Sequence, residues 1–86
     1  MKIHVFSILD EKSKVFSQPF FMTARGQAVR AFSDLVADKN SAIARHPEDY
    51  RLYLLGEFDD VSGAFVSLPQ PEYLYVGSDF IENKEV

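Results

Sequence analysis

The hydrophobic and polar positions change from a strand-like to a helical period and back along the chain. Residues 2–9 (KIHVFSIL) and 14–21 (KVFSQPFF) are rich in β-branched and aromatic side chains. The polar turn DEKS separates them, which predicts an N-terminal β-hairpin. Pro19 has no N–H to donate to a neighbouring strand, so the second strand is expected to lie at a sheet edge or to end there.

A helical period follows this hairpin. Thr23 is a residue type that favours the N-cap position and is predicted to begin the helix. The apolar residues Ala28, Phe32, Leu35 and Val36 recur at i, i+4, i+7 and i+8, which predicts one buried stripe. The helix is expected to end near residues 38–40, and residues 41–46 are expected to add one turn before a proline.

Residues 50–58 (YRLYLLGEF) form the strongest strand pattern. Strict alternation predicts one face made of Tyr50, Leu52, Leu54 and Phe58, and another made of Arg51, Tyr53, Leu55 and Glu57. A hairpin loop is predicted at 59–63, with a return strand at 64–68. The two prolines of PQP (69–71) are predicted to break the ladder before a last strand at 72–76.

The predicted order ββαβββ indicates an α+β fold, with a single antiparallel sheet of four to five strands and one main helix packed across one face. The helix residues Phe32, Leu35 and Val36 are expected to face the sheet residues Leu52, Leu54 and Phe58. Residues 1–77 are predicted to form one domain, and residues 78–86 a loosely ordered acidic tail. The second face of the sheet must then be solvated or meet a partner or a ligand.

The composition favours one small intracellular domain. A chain of 86 residues with 47% hydrophobic residues can build one core, and a second subunit would add to its limited burial, so a dimer is expected. The absence of cysteine excludes a disulfide framework and a cysteine nucleophile. The sequence also lacks an apolar run of the roughly 20 residues that span a bilayer, so no membrane association is expected.

The sequence indicates binding and not catalysis. Its two histidines, His4 and His46, are far apart and lack a paired carboxylate pattern, so structural or helix-capping roles are favoured for them. Neither a phosphate-binding glycine loop nor a nucleophile elbow occurs. The acidic pairs are adjacent in sequence and do not have the spacing of a cation-binding loop. No enzymatic activity, metal or cofactor is expected.

The distribution of charge leaves nucleic-acid binding open. The net charge of −4 argues against bulk attraction to nucleic acid, but residues 1–56 carry +2 and residues 57–86 carry −6. Single-strand binders combine cations for phosphates with aromatic rings for bases. The candidates for this role are Lys14, Phe16, Arg25, Arg30, Arg45, Arg51 and Tyr53. The alternative is a protein–protein module, in which the sheet face with Tyr53 and Leu55 forms a homodimer or docks on a replication protein.

Several segments carry a resemblance to a known family. They are FSILDEKS (6–13), QPFF (18–21), GQAVRAFSDLV (26–36) and HPEDYRLYLLGEFDD (46–60). In these segments the chain resembles the small non-structural protein of gokushoviruses, a subfamily of the Microviridae, which are single-stranded-DNA phages. The resemblance implies a DNA-binding protein in the cytoplasm of the infected bacterium. It also implies a role in the switch from double-stranded genome replication to single-strand synthesis and packaging.

Overall fold

The computed structural model describes residues 1–81 of the chain. Five strands, two α-helices and two short 3₁₀ turns follow one another, and their bounds are β1 Lys2–Asp10, β2 Val15–Phe16, β3 Phe20–Met22, α1 Arg25–Ala37, α2 Ala42–Arg45, a 3₁₀ turn Pro47–Asp49, β4 Tyr50–Asp59, β5 Phe65–Val76 and a 3₁₀ turn Gly77–Phe80. Within this part of the chain, no helix is both long and apolar enough to cross a membrane.

The five strands form one antiparallel sheet, which confirms the predicted α+β fold. Strand β4 pairs with β1 over the whole length of β1, and β5 pairs with the other side of β4. Strands β2 and β3 both pair with the remaining edge of β1. The single strand predicted at 14–21 is therefore two short ones. The Ser17 N–H still donates to the Ile8 carbonyl (2.8 Å), and the ladder is interrupted after it, where Pro19 has no N–H to donate. The predicted edge position is confirmed.

The predicted break of the ladder at the PQP segment is confirmed, but the two strands predicted on either side of it are one strand, β5. It runs from Phe65 to Val76 through both prolines. Gly56 pairs with Ser67 and Leu54 pairs with Glu72, so the residues 68–71 between them lie opposite Leu55 alone. The prolines are tolerated because these residues bulge out of the ladder on an edge strand, where no N–H donor is required of them.

Helix α1 begins one residue later than predicted. Its N-cap is Ala24, and Thr23 lies outside the helix. The side chain of Gln27 takes over the capping role, because its Oε1 accepts hydrogen bonds from the Ala24 backbone N (3.1 Å) and from the Thr23 hydroxyl (2.9 Å). This reach of an N3 glutamine back to the N-cap backbone is half of a capping box.

The core lies between α1 and one face of the sheet. Its buried members are Phe6, Ala28, Phe32, Val36, Ile43, Leu52 and Leu54. The predicted packing of Phe32 and Val36 against Leu52 and Leu54 is therefore confirmed, and Leu35 packs at the margin of this cluster.

Phe58 does not belong to this core, which corrects the predicted alternation of β4. Phe6 pairs with Leu54 and Val5 pairs with Gly56, so Leu55 is an extra residue without a partner on β1. Such a bulge moves the following side chains to the opposite face from the one that alternation predicts. Beyond Leu55, Phe58 lies on the face away from the helix and Glu57 on the helix side.

The turn Gly77–Phe80 is packed into the domain. The ring of Phe80 lies 5.8 Å from that of Phe32 and 5.2 Å from that of Tyr75, measured between centroids. Gly77 allows the close approach of Pro47, because a Cβ at this position would lie 2.5 Å from the Pro47 carbonyl oxygen. The start of the predicted acidic tail at residue 78 thus falls inside a packed turn, and residues 82–86 lie outside the described residues.

Candidate nucleic-acid interface

One face of the sheet is not covered by α1, and we call it the open face. Strand pairing assigns its members, which are Ile3, Val5, Ser7, Leu9, Phe16, Phe21, Arg51, Tyr53, Gly56, Phe58, Phe65, Ser67, Tyr73 and Val76. Its aromatic side chains are divided into two groups, one toward each end of the sheet. The buried Ser7 lies between these groups and donates a hydrogen bond from its hydroxyl to the Ser17 carbonyl (2.7 Å).

The first group is a line of three rings, Phe16, Tyr53 and Tyr73, which we call the ring row. Phe16 and Tyr53 meet edge to face with centroids 5.4 Å apart, and Tyr53 and Tyr73 with centroids 5.9 Å apart. Phe16 is 39% exposed and Tyr73 is 49% exposed. Exposed rings held side by side on a β-sheet provide platforms on which unpaired bases can stack.

Two cations lie at the same end of the open face as the ring row. The guanidinium carbon of Arg51 is 6.0 Å from the centroid of the Tyr73 ring. Arg51 Nε donates a hydrogen bond to Glu11 Oε2 (3.1 Å), and Lys14 Nζ lies 3.5 Å from Glu11 Oε1. Glu11 therefore partly neutralises both cations that flank the rings.

The helical layer holds the other three candidate arginines. Arg25, at the start of α1, forms an ion pair with Glu72 of β5, in which Arg25 Nη1 lies 3.2 Å from Glu72 Oε2. Arg30 is exposed on the same helix. Arg45 donates a hydrogen bond from Nη1 to the Asn40 carbonyl (3.5 Å). The structure thus brings Lys14, Phe16, Arg51 and Tyr53 together and places Arg25, Arg30 and Arg45 elsewhere. A role in DNA contact stays a prediction for all seven.

Tyr73 was missed by the sequence analysis. Leu52 pairs with Tyr75 and Tyr53 pairs with Tyr73, so Leu74 is an extra residue on β5. Tyr73 lies on the open face because it pairs with Tyr53, and the bulge that follows it turns Tyr75 toward the helical layer. The local sequence EYLYV carries no signal of this separation, because simple alternation assigns both tyrosines to one face.

The second aromatic group is formed by Phe21, Phe58 and Phe65, which we call the phenylalanine patch. The centroids of Phe58 and Phe65 are 4.9 Å apart, and Phe21 lies 5.8 Å from Phe58 and 6.2 Å from Phe65. Phe65 is 63% exposed. Beside the patch is a pocket of about 180 Å³, lined by Val5, Pro19, Leu55, Gly56, Glu57, Phe65, Val66 and Ser67.

Among the described residues, one group of side chains has the atom types and the spacing of metal ligands. Ligand-type atoms of His46, Glu48 and Asp49 lie within 4.8 Å of one another. His46 and Glu48 are exposed, and the cluster lies on the 3₁₀ turn before β4. Exposed acidic groups at such a turn commonly adjoin without a metal, and a hard cation needs more oxygen ligands than this cluster offers.

Comparison with known proteins places the chain in a family. Residues 3–80 match the family described as Phage ORF5 protein. The chain belongs to the phage ORF5 protein family. No curated protein and no solved structure matches it. The matched residues include the ring row, its two cations and the phenylalanine patch, so the whole open face falls within the range that the family model covers.

Proposed function

We propose that this phage protein binds single-stranded DNA on its open face. The observation that carries the proposal is the ring row of Phe16, Tyr53 and Tyr73, which is exposed on an uncovered sheet with Arg51 beside Tyr73. Bases would stack on the exposed rings, and Arg51 and Lys14 would contact the adjoining phosphates.

Base stacking contributes more than phosphate contacts to binding at this site, which favours a single strand over a duplex. A duplex keeps its bases stacked on one another, so its binding would depend on phosphate contacts. The ring row has two adjacent cations, both held by Glu11, in a protein of net charge −4. Stacking must therefore supply much of the binding free energy, and only an unpaired strand can offer bases to the rings.

The resemblance to the gokushovirus non-structural protein gives this binding a biological setting. In that setting the protein would coat or sequester newly made single strands in the cytoplasm of the infected bacterium. It would thereby favour single-strand synthesis and packaging over further double-stranded replication. This role needs binding only and no catalytic group.

The test is fluorescence anisotropy with a labelled single-stranded oligonucleotide and the matching duplex. Tyr73→Ala is the decisive variant, because loss of one stacking platform costs about 1–3 kcal/mol, which corresponds to a loss of about 5-fold or more in affinity. Tyr75→Ala is the matched control, since Tyr75 is the same residue type on the same strand and is 40% exposed, but faces the helical layer.

The proposal predicts tighter binding to the single strand than to the duplex, a large loss with Tyr73→Ala and little change with Tyr75→Ala. Thermal melting of both variants must accompany the binding curves, because Tyr75 packs on Phe80 and contributes to the fold. Equal or tighter binding to the duplex contradicts the proposal. So does a folded Tyr73→Ala protein that binds like the wild type.

A protein–protein module is the second candidate function. The phenylalanine patch supports it, since it exposes apolar rings at the end of the open face away from Arg51 and Lys14. A protein of this kind would not bind the oligonucleotide, and its partner would be a second copy or a replication protein.

A further inference from the structure

The sheet extends beyond the helix that covers its other face. The core members Phe6 and Leu54 lie on the near side of the bulge at Leu55, and α1 packs against them. Past the bulge, the open face carries the phenylalanine patch. Phe65 is 63% exposed and Phe21 is 45% exposed. Adjoining apolar rings exposed in this way commonly mark an interaction surface.

We infer that the phenylalanine patch is the contact surface of a homodimer, covered by a second copy of this chain. In a twofold dimer the same patch of both copies forms the contact, so any net charge on the patch repels its copy. The three rings of the patch carry no charge, and Asp59 and Asp60 of the β4–β5 hairpin are paired with the amine of Met1. Glu57 is the one charged residue that lines the adjoining pocket, and it pairs with His4 on the helix side of β4. A neutral apolar surface suits self-association and offers nothing to a phosphate.

The pocket beside the patch provides a place for a ring from the second copy. An apolar cavity of about 150 Å³ can hold a benzene molecule. The pocket here has a volume of about 180 Å³ and adjoins Phe65 itself. In a twofold arrangement the partner's Phe65 would enter this pocket, while Phe65 of the first copy would enter the equivalent pocket of the partner. One contact thus buries two of the most exposed aromatic rings.

The dimer leaves the ring row accessible. Tyr53 and Phe58 are five residues apart on β4, which corresponds to roughly 16 Å along a strand. The two ring rows would lie at the far ends of the dimer, on either side of the contact. The inference therefore does not depend on DNA binding, and each can fail without the other. An aromatic side chain buries at most about 250 Å², so three partly exposed rings cover less than the roughly 800 Å² per partner of a standard interface. We therefore expect a weak dimer that dissociates at roughly micromolar concentration.

Sedimentation velocity of the full chain over a concentration series is the direct test. The wild type is expected to shift from monomer to dimer as its concentration rises. Phe65→Glu places like charges against each other and is expected to remain a monomer throughout. Val61→Glu is the matched control: it adds the same charge at an 85% exposed position in the loop of the same hairpin, and is expected to dimerise like the wild type.

A second measurement covers the case in which Phe65→Glu fails to fold. The chain has no cysteine, so Ser67→Cys introduces a unique thiol at the wall of the pocket that the partner's Phe65 would enter. This variant should form a covalent dimer under a mild oxidant, and Ser62→Cys, in the hairpin loop, should form far less. Three results would overturn the inference: a wild type that stays monomeric up to about 100 μM, a folded Phe65→Glu protein that still dimerises, or equal cross-linking of the two cysteine variants.

Discussion

Tyr73 and Tyr75 lie two positions apart on strand β5 but on opposite faces of the sheet. Tyr73 pairs with Tyr53 on the open face, while Tyr75 pairs with Leu52 and packs on Phe80 in the helical layer. The extra residue Leu74 causes this separation. Tyr73 is the third ring of the ring row, and Tyr75 packs against Phe80 of the last turn.

Phe32→Ala should lower the free energy of unfolding by about 3–5 kcal/mol, because Phe32 is fully buried in the core and truncation leaves a cavity. Denaturant unfolding monitored by circular dichroism measures this loss. Phe16→Ala, which truncates an exposed ring on the open face, should cost far less. A Phe32→Ala protein as stable as the wild type would contradict the packing described here.

Glu11→Gln should strengthen the binding of single-stranded DNA several-fold. Glu11 holds Arg51 and Lys14, and removing its charge frees both cations for phosphates. The dependence of affinity on salt should also become steeper, because more counterions are released from the DNA. Asp34→Asn makes the same change in net charge at an exposed position on α1, on the other side of the sheet. If the two variants bind alike, the effect of Glu11 is one of net charge alone.

Arg51→Gln and Arg25→Gln together decide which surface binds DNA. If the ring row is the site, Arg51→Gln should weaken binding and flatten the salt slope by about one, while Arg25→Gln should leave both unchanged. Arg25→Gln should also change stability by less than about 1 kcal/mol, because its pair with Glu72 is exposed and its charge is unfavourable at a helix N-terminus. If Arg25→Gln weakens binding and Arg51→Gln does not, DNA binds at the helix surface of Arg25 and Arg30 and not at the ring row.

Gly56→Ala should destabilise the protein by about 1–3 kcal/mol, the usual cost of overpacking. A Cβ at Gly56 would lie 2.2 Å from the Val66 carbonyl oxygen, so the β4–β5 ladder would have to shift. Gly26→Ala is the matched comparison, because nothing lies within 4 Å of its Cβ position in the first turn of α1. That change should stabilise the protein by about 0.5–1 kcal/mol. Similar melting temperatures for both variants would contradict the close approach at Gly56.

Truncation after Ile81 should leave the melting temperature unchanged, whereas truncation after Gly77 should lower it by several degrees. The longer deletion removes Phe80, whose ring packs against Phe32 and Tyr75. Removal of the acidic residues Glu82 and Glu85 should leave DNA affinity unchanged or raise it, because tethered like charges compete with phosphate. A marked loss of affinity after the shorter deletion would place the acidic end in the binding site.

The sequence by itself determined the class of fold and the main core. Both features are local periods, which a few consecutive residues are enough to show. They are the helical spacing of Ala28, Phe32 and Val36 and the strand alternation of Leu52 and Leu54. The composition likewise supplied the residue types of a single-strand-binding surface, including Phe16, Tyr53 and Arg51.

Only the tertiary structure decided which side chains share the open face. The bulges at Leu55 and Leu74 depend on the register between neighbouring strands, and that register is set by packing between residues far apart in sequence. Each extra residue reverses the faces of the residues that follow it. The bulge at Leu55 moved Phe58 out of the predicted core, and the bulge at Leu74 put Tyr75 on the face opposite Tyr73. Tertiary pairing likewise joined Arg51 to Glu11 and Arg25 to Glu72, across 40 and 47 residues of chain. A local pattern predicts that side chains alternate between the two faces of a strand. Pairing with the neighbouring strands determines where a bulge reverses that alternation.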